Sequence, residues 1–116
     1  MGNRDLGAGR VSGRHNKYGA KKIVIDGIRF ASTKEGMRYT VLRLMQRCGE
    51  ITDLKLQPSF ALVVDGYKIA TYRADFSYYD MGGNYIVEDV KGVRTPVYRL
   101  KKKLVHALHG IEIKET

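Results

Sequence analysis

"YRADFSYYDMGGNYIVEDVKG", residues 72–92, reads as two strands joined by a turn. "DMGGN" is a glycine-rich turn at hairpin distance. Side chains alternate between the faces of a strand, so Asp89 and Lys91 share one face while Glu88 and Val90 take the other. Asp75 lies in the preceding strand, fourteen residues before Asp89, a spacing at which a hairpin brings the two carboxylates near each other. Neighbouring carboxylates repel and raise one another's pKa unless something offsets the charge. A divalent cation does so, and hard oxygen ligands suit Mg²⁺ or Mn²⁺. Such an ion eases deprotonation of an attacking water and stabilises a leaving oxygen. Lys91 is then placed to orient that water or to stabilise charge developing on a phosphoryl group.

The flanking sequence supplies the rest of the fold. "LKLQPSFALVV" (residues 54–64) and "KIATYRADFSYY" (residues 68–79) are strand-like runs separated by Asp65-Gly66. With "NYIVEDVKG" (residues 84–92) they predict a three-strand antiparallel meander. "KIVIDGIRF" (residues 22–30) places Asp26-Gly27 between two β-branched runs, the strongest short hairpin signal. A helix is expected over residues 33–48, with Ser32 as cap and Glu35 three residues later completing a capping box. Met37, Val41, Leu44, Met45 and Cys48 form its apolar stripe, Arg38, Arg43 and Arg47 fall largely off it, and Gly49 stops it. Thr95-Pro96 starts a second helix, which Gly110 ends; its stripe is Val97, Leu100, Leu104 and Leu108. "IEIK" closes as a strand parallel to a meander strand. The predicted fold class is α/β: hairpin, helix, three strands, helix, strand, giving a central mixed β-sheet flanked by two helices.

Charge points to a polyanion. The chain has 116 residues, one domain's worth, and a net charge of +9. Residues 1–22 carry six Lys/Arg and one Asp, and residues 91–103 carry six Lys/Arg and no acid. Solubility needs no such clusters; a nucleic-acid backbone does. Residues 1–18 read as a flexible basic arm and residues 19–116 as the folded domain. The first patch offers Arg10, Arg14, Lys17, Lys21 and Lys22 as DNA contacts; the second offers Arg94, Arg99, Lys101, Lys102 and Lys103. Cys48 is the only cysteine, which excludes an intrachain disulfide and a multi-cysteine zinc site and fits a reducing cytoplasm. His15, His106 and His109 form no convincing metal pattern, and no apolar run approaches a membrane span or a secretory signal.

"STKEGMRY", "LKLQPSF", "YRADFSY" and "EDVKGVRTPVYRLKKKL", in that order, resemble the PD-(D/E)XK, or restriction-endonuclease-like, nuclease superfamily. The resemblance is closest to a branch of small phage-encoded proteins and covers residues 16–116. It implies a metal-dependent endonuclease acting on DNA in a bacterial cytoplasm. Carried over residue by residue, it makes Glu35 the first-helix acid, Asp75 the motif aspartate, and Asp89 and Lys91 the D/E-x-K pair. It also implies that the Val90 carbonyl joins Glu35, Asp75 and Asp89 around the metal. Ala74 departs from the proline of the motif's name, and Asp89 is one methylene shorter than the commoner Glu. Analogy with phage resolvases extends the substrate to branched DNA, including Holliday junctions, and a homodimer suits a protein that cuts two strands. The alternative is a catalytically inactive nucleic-acid-binding or regulatory protein on the same fold, and RNA is a third option. Simpler readings stand beside these: Glu35 as a cap alone, Asp89–Lys91 as an ion pair, Lys101–Lys103 as a solvated face, Gln57 as a strand residue and the tyrosines as core.

Overall fold

The computed structural model describes residues 22–116. The expected basic arm, with Arg10, Arg14 and Lys17, lies outside them, as does Lys21. The described residues divide into two units, residues 22–37 and residues 38–116.

In the first unit, β1 (Ile23–Ile25) and β2 (Ile28–Phe30) pair antiparallel, Ile23 opposite Phe30. Asp26 and Gly27 turn between them with φ of 54° and 76°, the left-handed pair that a two-residue hairpin demands. Helix α1 (Thr33–Arg47) starts here, and the Glu35 N–H donates to Ser32 Oγ at 3.1 Å. A Cβ on Gly36 would fall 2.9 Å from both Ile23 Cγ2 and Ile25 Cδ1, so a side chain there would have to push the two isoleucine methyls aside.

The second unit holds the remainder of α1, six strands and α2. Strands β3 (Ile51–Leu56), β6 (Phe76–Asp80), β7 (Tyr85–Asp89) and β8 (Lys114–Glu115) form one sheet in the order β3-β6-β7-β8. The first three run antiparallel, and β8 lies parallel to β7 after the α2 crossover. Strands β4 (Ser59–Val64) and β5 (Tyr67–Arg73) form a separate hairpin. Its turn, Asp65-Gly66, has φ of 50° and 81°.

The expected three-strand meander is thus divided. The first long run breaks at Gln57-Pro58, the second at Ala74-Asp75, and the two breaks face each other. Gln57 has a φ of 53°, and Pro58 brings no N–H to a ladder. Pairing nevertheless continues across the bend: the Gln57 N–H donates to the Asp75 carbonyl at 2.9 Å, and the Ala74 N–H to the Pro58 carbonyl at 3.0 Å. The bend carries the β4–β5 arm off the main sheet. Asp75 consequently sits at a bend and not inside a strand.

Helix α2 (Pro96–His109) begins as expected, with the Tyr98 N–H donating to Thr95 Oγ1, and ends at left-handed Gly110. It packs on β4 and β5. Leu62, Tyr72, Ala74, Val87, Tyr98, Val105 and Ile113 form the core there. The expected helix stripes are rotated. On α1, Met37, Val41, Leu44 and Cys48 are exposed, Leu44 at 58%, while Tyr39 and Leu42 are buried. Arg38 turns inward to a buried carboxylate, and Arg43 Nη1 donates to Tyr39 Oη at 3.1 Å. On α2, Val97, Leu100 and Leu108 are exposed, Val97 at 62%, and burial falls on Tyr98 and Val105. Of the expected α2 stripe, Leu104 does pack against the core; on α1, the Arg38 contact with a buried carboxylate turns the helix away from its apolar stripe. The last strand also comes later than expected, at Lys114–Glu115, with "IEI" leading into it. Among the described residues, no helix is long and apolar enough to cross a membrane.

Candidate active site at the end of strand β7

Strand β7 ends with Glu88 and Asp89, both buried, at 0% and 2% exposure. Consecutive strand residues point to opposite faces, so the two carboxylates enter different environments.

The β6–β7 register ends by pairing Phe76 with Glu88, and the bend before it brings the Asp75 carboxylate to the end of β7, where its charge and that of Asp89 both act on the Tyr72 hydroxyl. The Asp75 N–H donates to the Glu88 carbonyl at 3.1 Å, and the Val90 N–H donates to Asp75 Oδ2 at 2.7 Å. Asp89 Oδ2 accepts the Tyr72 hydroxyl and lies 3.2 Å from Lys91 Nζ. That ammonium also sits 4.1 Å above the Tyr98 ring centroid, a cation–π contact that fixes its position. Burial pushes the Tyr72 hydroxyl's pKa up, and the hydrogen bond to Asp89 and the charges of Asp89 and Asp75 push it further. Tyr72 therefore acts as a donor to Asp89 and stays protonated.

The network continues across the sheet. Glu115 pairs with Asp89 in the parallel β7–β8 ladder. Its carboxylate accepts from Tyr98 Oη at 2.7 Å, Arg94 Nε at 2.8 Å and Lys102 Nζ at 3.1 Å. The hydrogen bonds from Tyr98 and Arg94, then the Lys102 contact, hold its pKa down at about 2 against a smaller upward push from burial. Tyr98 thus supports Lys91 with its ring face and Glu115 with its hydroxyl. Burial, followed by that hydrogen bond, pushes its own pKa up.

On the opposite face, Arg38 grips Glu88 in a fork, Nε to Oε1 at 2.8 Å and Nη2 to Oε2 at 2.6 Å. The Tyr78 hydroxyl donates to the same carboxylate, and Lys114 Nζ lies 3.9 Å away. Burial alone would raise the Glu88 pKa; the hydrogen bonds from Arg38 and Tyr78 and the charges of Arg38 and Lys114 outweigh it and leave it lowered. This resolves the choice that adjacent acids leave open in the sequence: Asp89, not Glu88, shares a face with Asp75 and Lys91.

The structure therefore brings Asp75, Asp89 and Lys91 together. Glu35 belongs to the first unit, where it forms part of the α1 cap. Among the described residues, no group of three or more His, Cys, Asp and Glu side chains gathers as for a metal ion. Of the expected DNA contacts, Lys22 is exposed in the first unit. Arg94 and Lys102 are ion-paired to Glu115, and Lys101 Nζ donates to the Thr71 carbonyl at 3.0 Å. Arg99 and Lys103 line an open groove beside α2. Sequence reasoning missed Tyr72, Tyr98, Arg38 and Glu115. Tyr72 stands three residues before Asp75, but a tyrosine in an apolar run carries no mark of where its hydroxyl will point.

A family model described as a protein of unknown function, DUF1064, matches residues 15–115. The chain belongs to the DUF1064 family. In this DUF1064 protein the match takes in α1, every strand through β8 and all the residues of the Asp75–Asp89–Lys91 and Glu115 networks. No curated protein and no solved structure gives a match.

Proposed function

We propose that this DUF1064 protein is a Mg²⁺- or Mn²⁺-dependent endodeoxyribonuclease of the restriction-endonuclease-like kind. The observation that carries the reading is the gathering of the Asp75 carboxylate, Asp89 and Lys91 at the end of β7: the Val90 N–H holds Asp75, Lys91 lies 3.2 Å from Asp89, and the charges of both acids act on Tyr72. The element order supports it: after the first hairpin come a helix, three antiparallel main-sheet strands, a crossover helix and a parallel strand. The β4–β5 arm is an insertion between the first two of those strands.

The donor set fits a hard cation. Mg²⁺ is commonly held by one or two carboxylates, with waters and substrate phosphate completing its shell, so a three-acid cluster is not required. Asp75 and Asp89 would hold it, with the Val90 carbonyl as the further oxygen of this unit that the resemblance implies. When bound, the cation supplies Lewis-acid stabilisation at the scissile phosphate and eases deprotonation of the attacking water. Lys91, positioned by Asp89 and by the Tyr98 ring, offers its ammonium to negative charge developing on the phosphoryl oxygens. Tyr72 keeps Asp89 aimed by donating to Oδ2. The basic residues after Lys91 carry the strand, as phosphate contacts do in general. The setting is a phage- or prophage-encoded protein in a bacterial cytoplasm, working as a homodimer on branched DNA such as Holliday junctions.

Linear, nicked, flapped and four-way DNA incubated with protein and Mg²⁺ tests this reading directly. Cleavage of at least one substrate, lost on chelation, is the expected result; cleavage of RNA alone would change the substrate. One observation favours a second reading, a non-catalytic nucleic-acid-binding protein: Tyr72 and Lys91 both engage Asp89 Oδ2, so that oxygen is already served by protein donors. Tight binding of the panel with no cleavage under Mg²⁺ or Mn²⁺ would select it.

A further inference from the structure

Beside α2 runs a groove of about 540 Å³, lined among others by Arg94, Arg99, Lys102, Lys103, Glu112 and Glu115. Three donors in it, the Arg94 guanidinium, the Lys102 ammonium and the Tyr98 hydroxyl, converge on one carboxylate, that of Glu115. Two cations and a hydroxyl around a pair of oxygens are also what a phosphate group takes. The donors are reachable: the Arg94 and Lys102 side chains are 48% and 36% exposed. Among the described residues, Arg99 and Lys103 in the same groove have no ion-pair partner. Glu115 neighbours Asp89 across the parallel ladder, so this cluster lies one strand over from the candidate catalytic acids.

We propose that Arg94, Lys102 and the Tyr98 hydroxyl form a phosphate-binding site that Glu115 occupies as an internal competitor, displaced when a phosphate of a nucleic-acid strand enters the groove. The proposal deepens the reading above and rests on its nucleic-acid part. Displacement leaves Arg94 and Lys102 to the ligand, and Arg99 and Lys103 extend the track. Tyr98 links the two places, because its ring supports Lys91 while its hydroxyl serves the phosphate. Binding in the groove and the position of Lys91 are thereby coupled.

The test compares the full-length protein with Glu115→Gln, Glu115→Asp and Glu112→Gln. Each is titrated with a labelled DNA oligonucleotide over a range of salt without divalent metal, and separately with inorganic pyrophosphate by calorimetry. Glu115→Gln should bind both ligands about tenfold tighter, the scale of one charge-assisted hydrogen bond. Its log–log salt slope for DNA should steepen by about 1–2, close to one unit for each cation released to a phosphate. Glu115→Asp keeps the charge but falls one methylene short of its donors, so it should also bind tighter, by a smaller factor. Glu112→Gln removes a charge from the same groove without freeing those donors and should gain much less than Glu115→Gln. Equal gains from Glu115→Gln and Glu112→Gln, with Glu115→Asp unchanged, would reduce the effect to net charge and overturn the proposal. If Glu115→Gln fails to fold, Glu115→Asp against wild type decides alone. If no form of the protein binds DNA even at low salt, the nucleic-acid reading fails. The pyrophosphate titration then decides the site by itself: tighter binding by the Glu115 variants upholds it, and unchanged binding overturns it.

Discussion

Glu88 and Asp89 are neighbours in β7, nearly identical in chemistry and equally buried, yet they meet opposite surroundings. Glu88 is saturated: a two-pronged Arg38, the Tyr78 hydroxyl and a more distant Lys114 surround it. Asp89 is held on Oδ2 by Tyr72 and Lys91, and the Asp75 carboxylate lies close enough for its charge to act on the same Tyr72 hydroxyl. The first arrangement neutralises a buried charge and links α1 to the sheet. The second sets two acids and an amine on one face at the end of the strand, where a charged ligand can complete it. Burial is the same at the two positions; the partners differ, with Arg38, Tyr78 and Lys114 around Glu88 and Tyr72 and Lys91 on one oxygen of Asp89.

The largest expected effect comes from breaking the saturated side. Glu88→Gln leaves the Arg38 guanidinium without its anion in a partly buried place, and loss of one partner of a buried pair costs about 3–5 kcal/mol. Urea unfolding should show a lower midpoint at an unchanged slope. A change below about 1 kcal/mol would mean that the pair behaves like an exposed one and that the contrast is false.

Asp89→Asn tests the other side. Cleavage should fall by about 10²–10³, the scale of losing a preorganised electrostatic group. Mg²⁺ should raise the melting temperature of the wild type but not of this variant, since only a folded site binds the ion. Full Mg²⁺-dependent cleavage by Asp89→Asn would move the chemistry elsewhere.

Glu35→Gln sharpens the comparison with a third acid, one in the other unit. A capping box accepts Gln about as well as Glu, so stability should stay within about 1 kcal/mol. Cleavage should drop at least about tenfold, or about 1.4 kcal/mol of barrier, if the acid also serves the reaction. Cleavage at the wild-type rate would restrict Glu35 to starting α1.

The smallest effect is a pH dependence. Glu88 has a folded-state pKa below its unfolded value, so its stabilisation is complete above the unfolded carboxylate pKa and is lost as pH falls through the folded one. Glu115 follows the same sign, its contribution fading between about pH 4.5 and about pH 2. Acid unfolding of Glu88→Gln should therefore be shallower than that of the wild type. Glu115→Gln should flatten the same limb less, because its carboxylate is partly open to water. An identical acid limb in all three proteins would remove both carboxylates from the stability balance.

Local signals in the sequence were sufficient for the parts of this protein that short-range sterics control. Asp26-Gly27 and Asp65-Gly66 turn hairpins because their left-handed conformations favour such residues. Ser32 and Thr95 start helices by accepting from N–H groups three residues on, and Gly110 ends α2 for its positive φ. The parallel last strand followed from the helical crossover, and the shared face of Asp89 and Lys91 followed from strand alternation. Each of these depends on a few neighbouring residues.

What only tertiary structure decided depends on partners far along the chain. The facing bends at Gln57-Pro58 and Ala74-Asp75 divide two long runs into four strands, and each bend makes sense only against the other. The buried face of α1 is set in part by Arg38 reaching Glu88, fifty residues away, a pairing that apolar periodicity does not register. Tyr72 aims at Asp89 and Tyr98 bridges Lys91 to Glu115 because the β4–β5 arm and α2 pack on the same side of β7. A hydroxyl or carboxylate takes its role from the donors and charges that folding brings within about 3 Å, the range of a hydrogen bond, and for these groups those partners are distant in sequence.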